Sequence, residues 1–494
     1  MKRTYIVLPI NDAQPQKRYF IRNGETILND FTASVDAENP GFEAYIDVTR
    51  FGDTPFTLTD DTGAAVPYKT SDKLPKKEDL PNGTYLRPAA HFTTTLGWTN
   101  DPNGLILHNG KYHMFYQHNP MSWNWGNMTW GHAVSSDLVH WDEIGDELYP
   151  DKFGTMFSGS AVCDERNVAG FGEGAILLFY TAAGDHSEMS RGVAFSQCLA
   201  YSTDGGETFT KYEKNPIIPH IVGANRDPKV QWSDELQKYT LSLYLDGNDF
   251  TIFTSDNLLD WTRICDLNMP EDNECPDFYP LPLGDEIRWV FVAAHDTYYI
   301  GEIKDGTFVP EQPYQIYHRG GTSYAAQTFS GTGDRRIKIA WGRNSAPGAV
   351  FNSQMGLPVE MFLKKVGDIV RLGSYPVKET ELLKKGTLAV GETTDGAVDV
   401  YVEIGDDCGD FTLSCFGMDI AVSPKNGTYS HGGCTAPLTY TGEMKMRVIF
   451  DTLGIEVFAD GGLVYSTMGA IADRSKPLTV TSDAVQIRAD ILAM

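Results

Sequence analysis

The stretch Ser135-Ser136-Asp137-Leu138-Val139-His140-Trp141 decides how the rest of the chain is read, because it recurs. It returns 67 residues on as Ser202-Thr203-Asp204-Gly205-Gly206-Glu207-Thr208-Phe209, and a further 52 residues on as Thr254-Ser255-Asp256-Asn257-Leu258-Leu259-Asp260-Trp261. Each copy follows a strand-like run and closes on an aromatic side chain. A Ser-Asp turn can recur by chance. Three copies in matching context describe instead a repeated four-stranded unit, about one propeller blade each. Around them, residues 111–117, 175–180, 239–245 and 287–293 are short β-branched or aromatic runs, mostly bounded by turn residues. Segments with a sustained 3.6-residue period are scarce, so the sequence predicts an all-β chain with few helices.

A chain of 494 residues can bury a large core and is expected to form two or three domains. Its 41% hydrophobic and 12% aromatic content suits a folded protein. The formal charge of −26 argues against nucleic acid or an anionic membrane as partner, since both reward Lys and Arg, whereas a neutral ligand such as a sugar is compatible. Solubility is the plainer use of that acidity. No apolar run approaches the roughly 18 residues of a membrane-spanning helix. Residues 1–9 carry Lys2 and Arg3 but only a short apolar stretch, so the expectation is a cytoplasmic protein, or a secreted one whose signal has been removed. The seven Cys are scattered without a CxxC pair, which fits reduced thiols. Neither zinc nor another metal or cofactor is expected.

Two boundaries are expected. Residues 72–83 are charged and turn-rich, as linkers are, and follow a small β module with a strand candidate at 42–48. A second change falls at 372–385, where the aromatic-rich pattern gives way. Beyond it, residues 398–404, 411–416, 444–450 and 455–458 read as sandwich strands, with Ala459-Asp460-Gly461-Gly462 a hairpin turn into 463–467. The expected units are 1–80, 87–365 and 375–494.

Three segments carry the chemistry: Trp98-Thr99-Asn100-Asp101-Pro102-Asn103-Gly104, Arg226-Asp227-Pro228 and Glu274-Cys275-Pro276. Each sets a carboxylate in a turn-like context flanked by Pro, Gly or Asn. Cleavage of a glycosidic bond usually needs two carboxylates, one to protonate the leaving oxygen and one to attack or to activate water. A third can orient the sugar and support a cationic transition state. Pro102 restricts the backbone before it, so Asp101 is expected in extended geometry, as a fixed nucleophile requires. Glu274 precedes Cys275-Pro276-Asp277-Phe278-Tyr279, an apolar and aromatic setting that suits a general acid. Asp227 is expected to stay ionised, with Arg226 helping. Read singly, Asp101 is an Asx turn before Pro and Asp227 a surface ion pair. Asp272 and Asp277 read as solvated turn residues.

In this order, the WTNDPNG, RDP and EC segments resemble glycoside hydrolase family 32, the β-fructosidase family. RDP alone is a weak signal; the ordered set is a strong one. The resemblance covers roughly residues 87–494 and implies a five-bladed β-propeller followed by a C-terminal β-sandwich, with a small N-terminal β module outside the shared core. It implies Asp101 as the nucleophile that forms a fructosyl ester, Glu274 as acid/base and Asp227 as transition-state stabiliser. Substrate-binding positions carried over by motif match are Asn100, Gln117 (in YQHNP), Trp125 (in WNWGNM), Phe157 and Ser158 (in FSGS), Arg226, Tyr324 (in YAAQ) and Trp341 (in AWGR). Cys275 is counted with these substrate-binding positions, as a packing neighbour of the acid/base and not a nucleophile.

The implied activity is a retaining, exo-acting β-fructosidase on levan, inulin and fructo-oligosaccharides, with sucrose as a further substrate. The tracts 119–141, 196–211 and 225–232 look most like levanases and exo-inulinases. An invertase, or a fructosyltransferase sharing the covalent intermediate, stays open. Inverting arabinosidases and xylosidases lack the motif set, and the three carboxylates count against a silent fructan-binding protein. Two departures concern subsite shape. Thr99 stands where the family usually has Met, and Gln354-Met355-Gly356-Leu357-Pro358-Val359-Glu360 loosens its MSLPRE motif.

Overall fold

The computed structural model describes residues 3–80, 86–405, 407–442 and 444–492. Residues 81–83, the end of the expected linker, lie outside the described residues, as do Met1 and Lys2. Among the described residues the chain is all-β, its helices limited to five short 3-10 turns. The strand expectations hold to within one or two residues at most ends: residues 111–117 lie in Lys111–Asn119, 239–245 in Lys238–Asp246 and 398–404 in Ala397–Ile404.

The chain opens with two three-stranded sheets. Tyr5–Ile10 lies between Phe42–Asp47 and Lys69–Ser71, and Lys17–Asn23 lies between Thr26–Ala33 and Thr57–Asp60. Ile6, Leu8, Ile10, Tyr19, Ile21 and Phe31 form their common core, joined by Met121 from the next part of the chain.

Five sheets follow in sequence, each led by one strand: Gly97–His108, Thr155–Asp164, Arg226–Ser233, Asp277–Leu283 and Ser323–Thr328. Each leading strand contacts the leading strand of the next sheet, and the fifth contacts the first. Phe351–Asn352 pairs in parallel with Gly97 and Trp98 of the first sheet. Apolar clusters fill the spaces between neighbouring sheets. Phe115, Trp130, Leu178 and Tyr180 lie between the first and second, and Phe179, Leu199, Val230 and Leu241 between the second and third. A buried aromatic of this kind removes about 150–250 Å² from water, roughly 4–6 kcal/mol before ordering costs. Two buried ion pairs pin the later sheets: Lys229 Nζ lies 3.5 Å from Asp277, and Lys338 Nζ 2.9 Å from Asp296.

The repeated Ser-Asp segment is the turn after the third strand of three successive sheets. Those strands are Thr129–Ser135, Ser196–Ser202 and Asp249–Ser255. In each, the serine hydroxyl accepts backbone N–H groups of the turn: Leu138 at 2.8 Å, Gly206 at 2.9 Å and Leu258 at 2.8 Å. The turn then feeds the sheet's fourth strand.

Past Ile369–Pro376, the last strand of the fifth sheet, the chain builds a seven-stranded and a five-stranded sheet over one apolar cluster that includes Val400, Leu413, Phe450 and Val457. The seven-stranded sheet also recruits His318–Gly320, parallel to Val464–Gly469. Asp460–Gly462 makes the turn expected after 455–458.

Candidate active site

Asp101, Ser158, Asp227 and Tyr324 sit where leading strands depart from regular pairing, while Glu274 and Cys275 lie just before the fourth leading strand. Register shifts fall between Thr99 and Pro102, between Phe157 and Gly159, between Arg226 and Lys229, and between Tyr324 and Gln327. A bulge leaves residues out of the ladder and re-aims their side chains. Pro102 and Pro228, which have no N–H to lose, fit these positions. Asp227, Glu274 and Cys275 hold left-handed φ values of 66°, 58° and 42°. Such backbone costs of order 1–3 kcal/mol per residue and persists only where its surroundings impose it.

The three carboxylates line one pocket of about 470 Å³, in the range of a small-ligand site. Asn100, Gln117, Trp125, Phe157, Ser158, Arg226, Tyr324 and Trp341 line it as well. Cys275 lies beneath, fully buried between two carboxylates. Its thiol is 3.5 Å from Asp101 Oδ2 and 3.5 Å from Asp227 Oδ2, and its backbone N–H donates to Asp227 at 3.0 Å. Burial, then the Asp227 and Asp101 charges, push that thiol well above its ordinary range, so it stays protonated as a donor.

Asp101 accepts from Ser158 Oγ at 2.5 Å and from Asn100 Nδ2 at 3.1 Å, and Asn100 is held in turn by Trp98 Nε1 at 2.8 Å. Burial raises the Asp101 carboxyl, while these hydrogen bonds work to keep it charged. Glu274 accepts from Arg226 Nη2 at 2.6 Å and from the Tyr324 hydroxyl at 2.9 Å. Burial raises the Tyr324 phenol, and the Cys275 and Glu274 groups add to that, so Tyr324 remains a donor. The nearer partner of Arg226 is thus Glu274, not Asp227, whose Oδ2 lies 3.7 Å from Nε.

Asp227 lines the pocket and is buried, not the surface ion pair that Arg226-Asp227 suggests when read singly, and its backbone N–H donates to Thr181 Oγ1 at 2.9 Å. Burial pushes its carboxyl up to about 7 against the pull of Arg226, with the Asp101 and Glu274 charges adding to the rise, so it does not simply stay ionised. Asp272 and Asp277 are buried, not solvated. Asp272 accepts from Thr297 Oγ1 at 2.7 Å and pairs with His295 Nδ1 at 2.9 Å, while Asp277 accepts Thr328 N–H at 2.7 Å.

The aromatic residues divide into two walls. Tyr324 meets Trp341 edge-on at 6.1 Å, with Arg343 4.4 Å over the Tyr324 ring. On the other wall, the Trp125 and Phe157 rings lie 5.9 Å apart, joined by His186 and Phe195, with Phe157 5.2 Å from His186 and 5.5 Å from Phe195. His186, Phe195 and Ala224 line the pocket without having been singled out from sequence. The first two lie between strands, where no motif marks a lone aromatic. Gln117 Nε2 and Trp341 Nε1 are buried donors with no partner among the described residues.

Comparison with known proteins agrees with this geometry. The model of the glycosyl hydrolases family 32 N-terminal domain matches residues 91–374. A levanase of Bacillus subtilis is 31% identical over 463 residues, covering 79% of this chain and 67% of the levanase. An extracellular exo-inulinase of Aspergillus awamori is 34% identical over 342 residues, covering 58% of this chain and 64% of its own length. The chain therefore spans about two thirds of these relatives. A crystal structure of exo-inulinase from Aspergillus awamori superimposes with a TM-score of 0.73 at 26% identity, covering 83% of this chain and 98% of that one.

Proposed function

The chain belongs to glycoside hydrolase family 32, and from that premise we propose that it is a retaining, exo-acting β-fructosidase releasing terminal fructose from β-fructans and from sucrose. The observation that carries this reading is the convergence of Asp101, Asp227 and Glu274 on one pocket, each with a donor that suits its role. Asp101, aimed by Ser158 and Asn100, attacks the fructosyl C2. As the C2–O bond to the leaving group breaks, Glu274 passes its proton to the departing oxygen. A C2–O ester to Asp101 results. Water then gives its proton to Glu274, its oxygen bonds to C2, and the ester breaks, leaving the anomeric configuration retained. Asp227 accepts fructose hydroxyls beside the reacting carbon. The free donors of Gln117 and Trp341 suit sugar oxygens.

The ring of contacts among the five leading strands supports a five-bladed propeller with the pocket at one mouth. The two C-terminal sheets over one core support a β-sandwich. We draw the units at 1–80, 87–376 and 377–494. The levanase and exo-inulinase relatives favour fructans over sucrose as the main substrate. An invertase of Schizosaccharomyces pombe, 33% identical over 328 residues, keeps sucrose in view. The test is product analysis on levan, inulin and sucrose. Fructose as the sole released sugar from both polymers supports the reading. Oligosaccharide products, or no release from any of the three, contradict it.

A further inference from the structure

We propose that the N-terminal sheets, residues 3–71, are a positioning device for the aromatic wall of the pocket, and that Asp12 and Asp30 are its positioning residues. The inference rests on the β-fructosidase reading. It assigns those sheets a role in recognising the part of the substrate beyond the terminal fructose.

Trp125 and His186 stand on long connections, residues 120–128 and 184–195. Trp125 is 49% exposed and meets His186 at 6.1 Å. Connections of this length between paired strands are costly to hold in one shape. Part of the bracing comes from outside the N-terminal sheets: Asn119 Nδ2 donates to the Asn124 carbonyl at 2.8 Å, Asn352 Nδ2 to the Trp123 carbonyl at 3.1 Å, and Gly192 N–H to Asp185 at 2.8 Å. The N-terminal sheets add anchors to both. The Asp12 carboxylate accepts from Ser122 Oγ at 2.9 Å and from Trp123 N–H at 2.5 Å, two residues short of Trp125. On its other side, Asn127 clasps the Thr32 backbone in both directions, accepting its N–H at 2.8 Å and donating to its carbonyl at 2.7 Å. Met121 is buried in the core that Ile10, Tyr19 and Phe31 form.

The second connection is held by Asp30, which is 4% exposed and paired with Arg18. Its two oxygens accept the N–H groups of Glu188, at 2.9 Å, and Met189, at 3.2 Å. Both connections are therefore fastened to the same strand pair, Lys17–Asn23 and Thr26–Ala33, or to the turn before it. The partners described for Asp101, Asp227 and Glu274 come instead from residues 100–324. The pocket thus has a catalytic floor built by the leading strands and a wall whose shape depends on the N-terminal sheets. The terminal fructosyl unit meets the floor. Further sugar units, leaving toward solvent, meet the exposed Trp125 wall.

The test uses the full chain and two substrates. One is a β-fructo-oligosaccharide of several units. The other is methyl β-fructofuranoside, whose leaving group is too small to reach the wall. Asp12→Ala and Asp30→Ala are each expected to lower kcat/KM on the oligosaccharide by about tenfold, mainly through KM, the scale of a misplaced contact. On the methyl fructoside they should stay within about twofold. Adding Asp12→Ala to Trp125→Ala should cost the oligosaccharide little beyond Trp125→Ala alone, because both act through one ring. Equal losses on the two substrates, or full additivity in the double variant, would overturn the proposal. If Asp12→Ala does not fold, Asp12→Asn keeps one acceptor and should show the same substrate split at smaller size; an unsplit loss there overturns it equally. A wild type that releases fructose from neither substrate refutes the β-fructosidase reading itself. A wild type active on both, with variants that leave the ratio unchanged, refutes only the role of the N-terminal sheets.

Discussion

At the residue scale the pocket holds three carboxylates, and burial works against the charge on two of them, Asp101 and Asp227. Asp227 shows the consequence most clearly. Its carboxyl is raised from the ordinary 3.8 to about 7, first by burial. A group raised in the folded state lends stability below its unfolded pKa and loses it as pH rises through the folded one. The charged Asp227 should therefore cost stability above about pH 7. Asp227→Asn is expected to raise Tm at pH 8 by about 2–4 °C, with the gain vanishing toward pH 4, while turnover falls by orders of magnitude. Melting curves across pH, beside kcat, check this trade of stability for function. Glu274 is tested by its leaving group. Glu274→Ala should lose far more rate on levan or sucrose than on an activated aryl fructoside, and azide should rescue its second step. Equal losses without rescue would move the proton donor elsewhere.

At the element scale the design is a leading strand interrupted by a bulge. Gly159 follows Ser158 at one such bulge, and a Cβ there would stand 1.9 Å from the Phe179 carbonyl oxygen and 2.7 Å from Tyr180 Cα. Gly159→Ala should cost about 1–3 kcal/mol of stability and a larger share of activity, because Ser158 moves off Asp101. Comparing ΔG of unfolding with kcat/KM checks it. The bulges also explain what could be read from sequence. WTNDPNG and RDP are local solutions to a backbone that must leave its ladder, and EC is a left-handed turn just before the fourth leading strand, so a Pro marks each of the three in the chain. The Ser-Asp turn was legible for the same reason, since one hydroxyl organises its own neighbours. Asp272 and Asp277 have the same local look, yet His295, Thr297 and Thr328 fold onto them from 23, 25 and 51 residues away. No local pattern announces that. His186 and Phe195 were illegible likewise: they sit on a connection whose Glu188 and Met189 N–H groups reach Asp30, more than 150 residues earlier.

At the scale of the whole molecule, the sheets around the pocket and the C-terminal sheets meet at a buried charge cluster. His91, as the imidazolium, donates from both ring nitrogens, to Asp451 Oδ2 at 2.7 Å and to Glu456 Oε1 at 2.9 Å. Burial alone would lower the imidazolium. The Asp451 and Glu456 carboxylates overcome this and raise it to about 10. That contribution is complete below about pH 6.5 and is lost as pH rises through 10. His91→Ala should cost about 3–5 kcal/mol near neutrality, the price of stranding buried charges, and its deficit should shrink as the pH approaches 10. Urea melts at both pH values test the pin between the two halves. The catalytic account has a more direct test, which is to trap the covalent intermediate. Glu274→Ala, mixed with an activated aryl fructoside and quenched, should carry one fructosyl unit on the peptide that contains Asp101, as read by mass spectrometry. An adduct on any other residue, or none under conditions where the aryl group is released in a burst, would contradict Asp101 as the nucleophile.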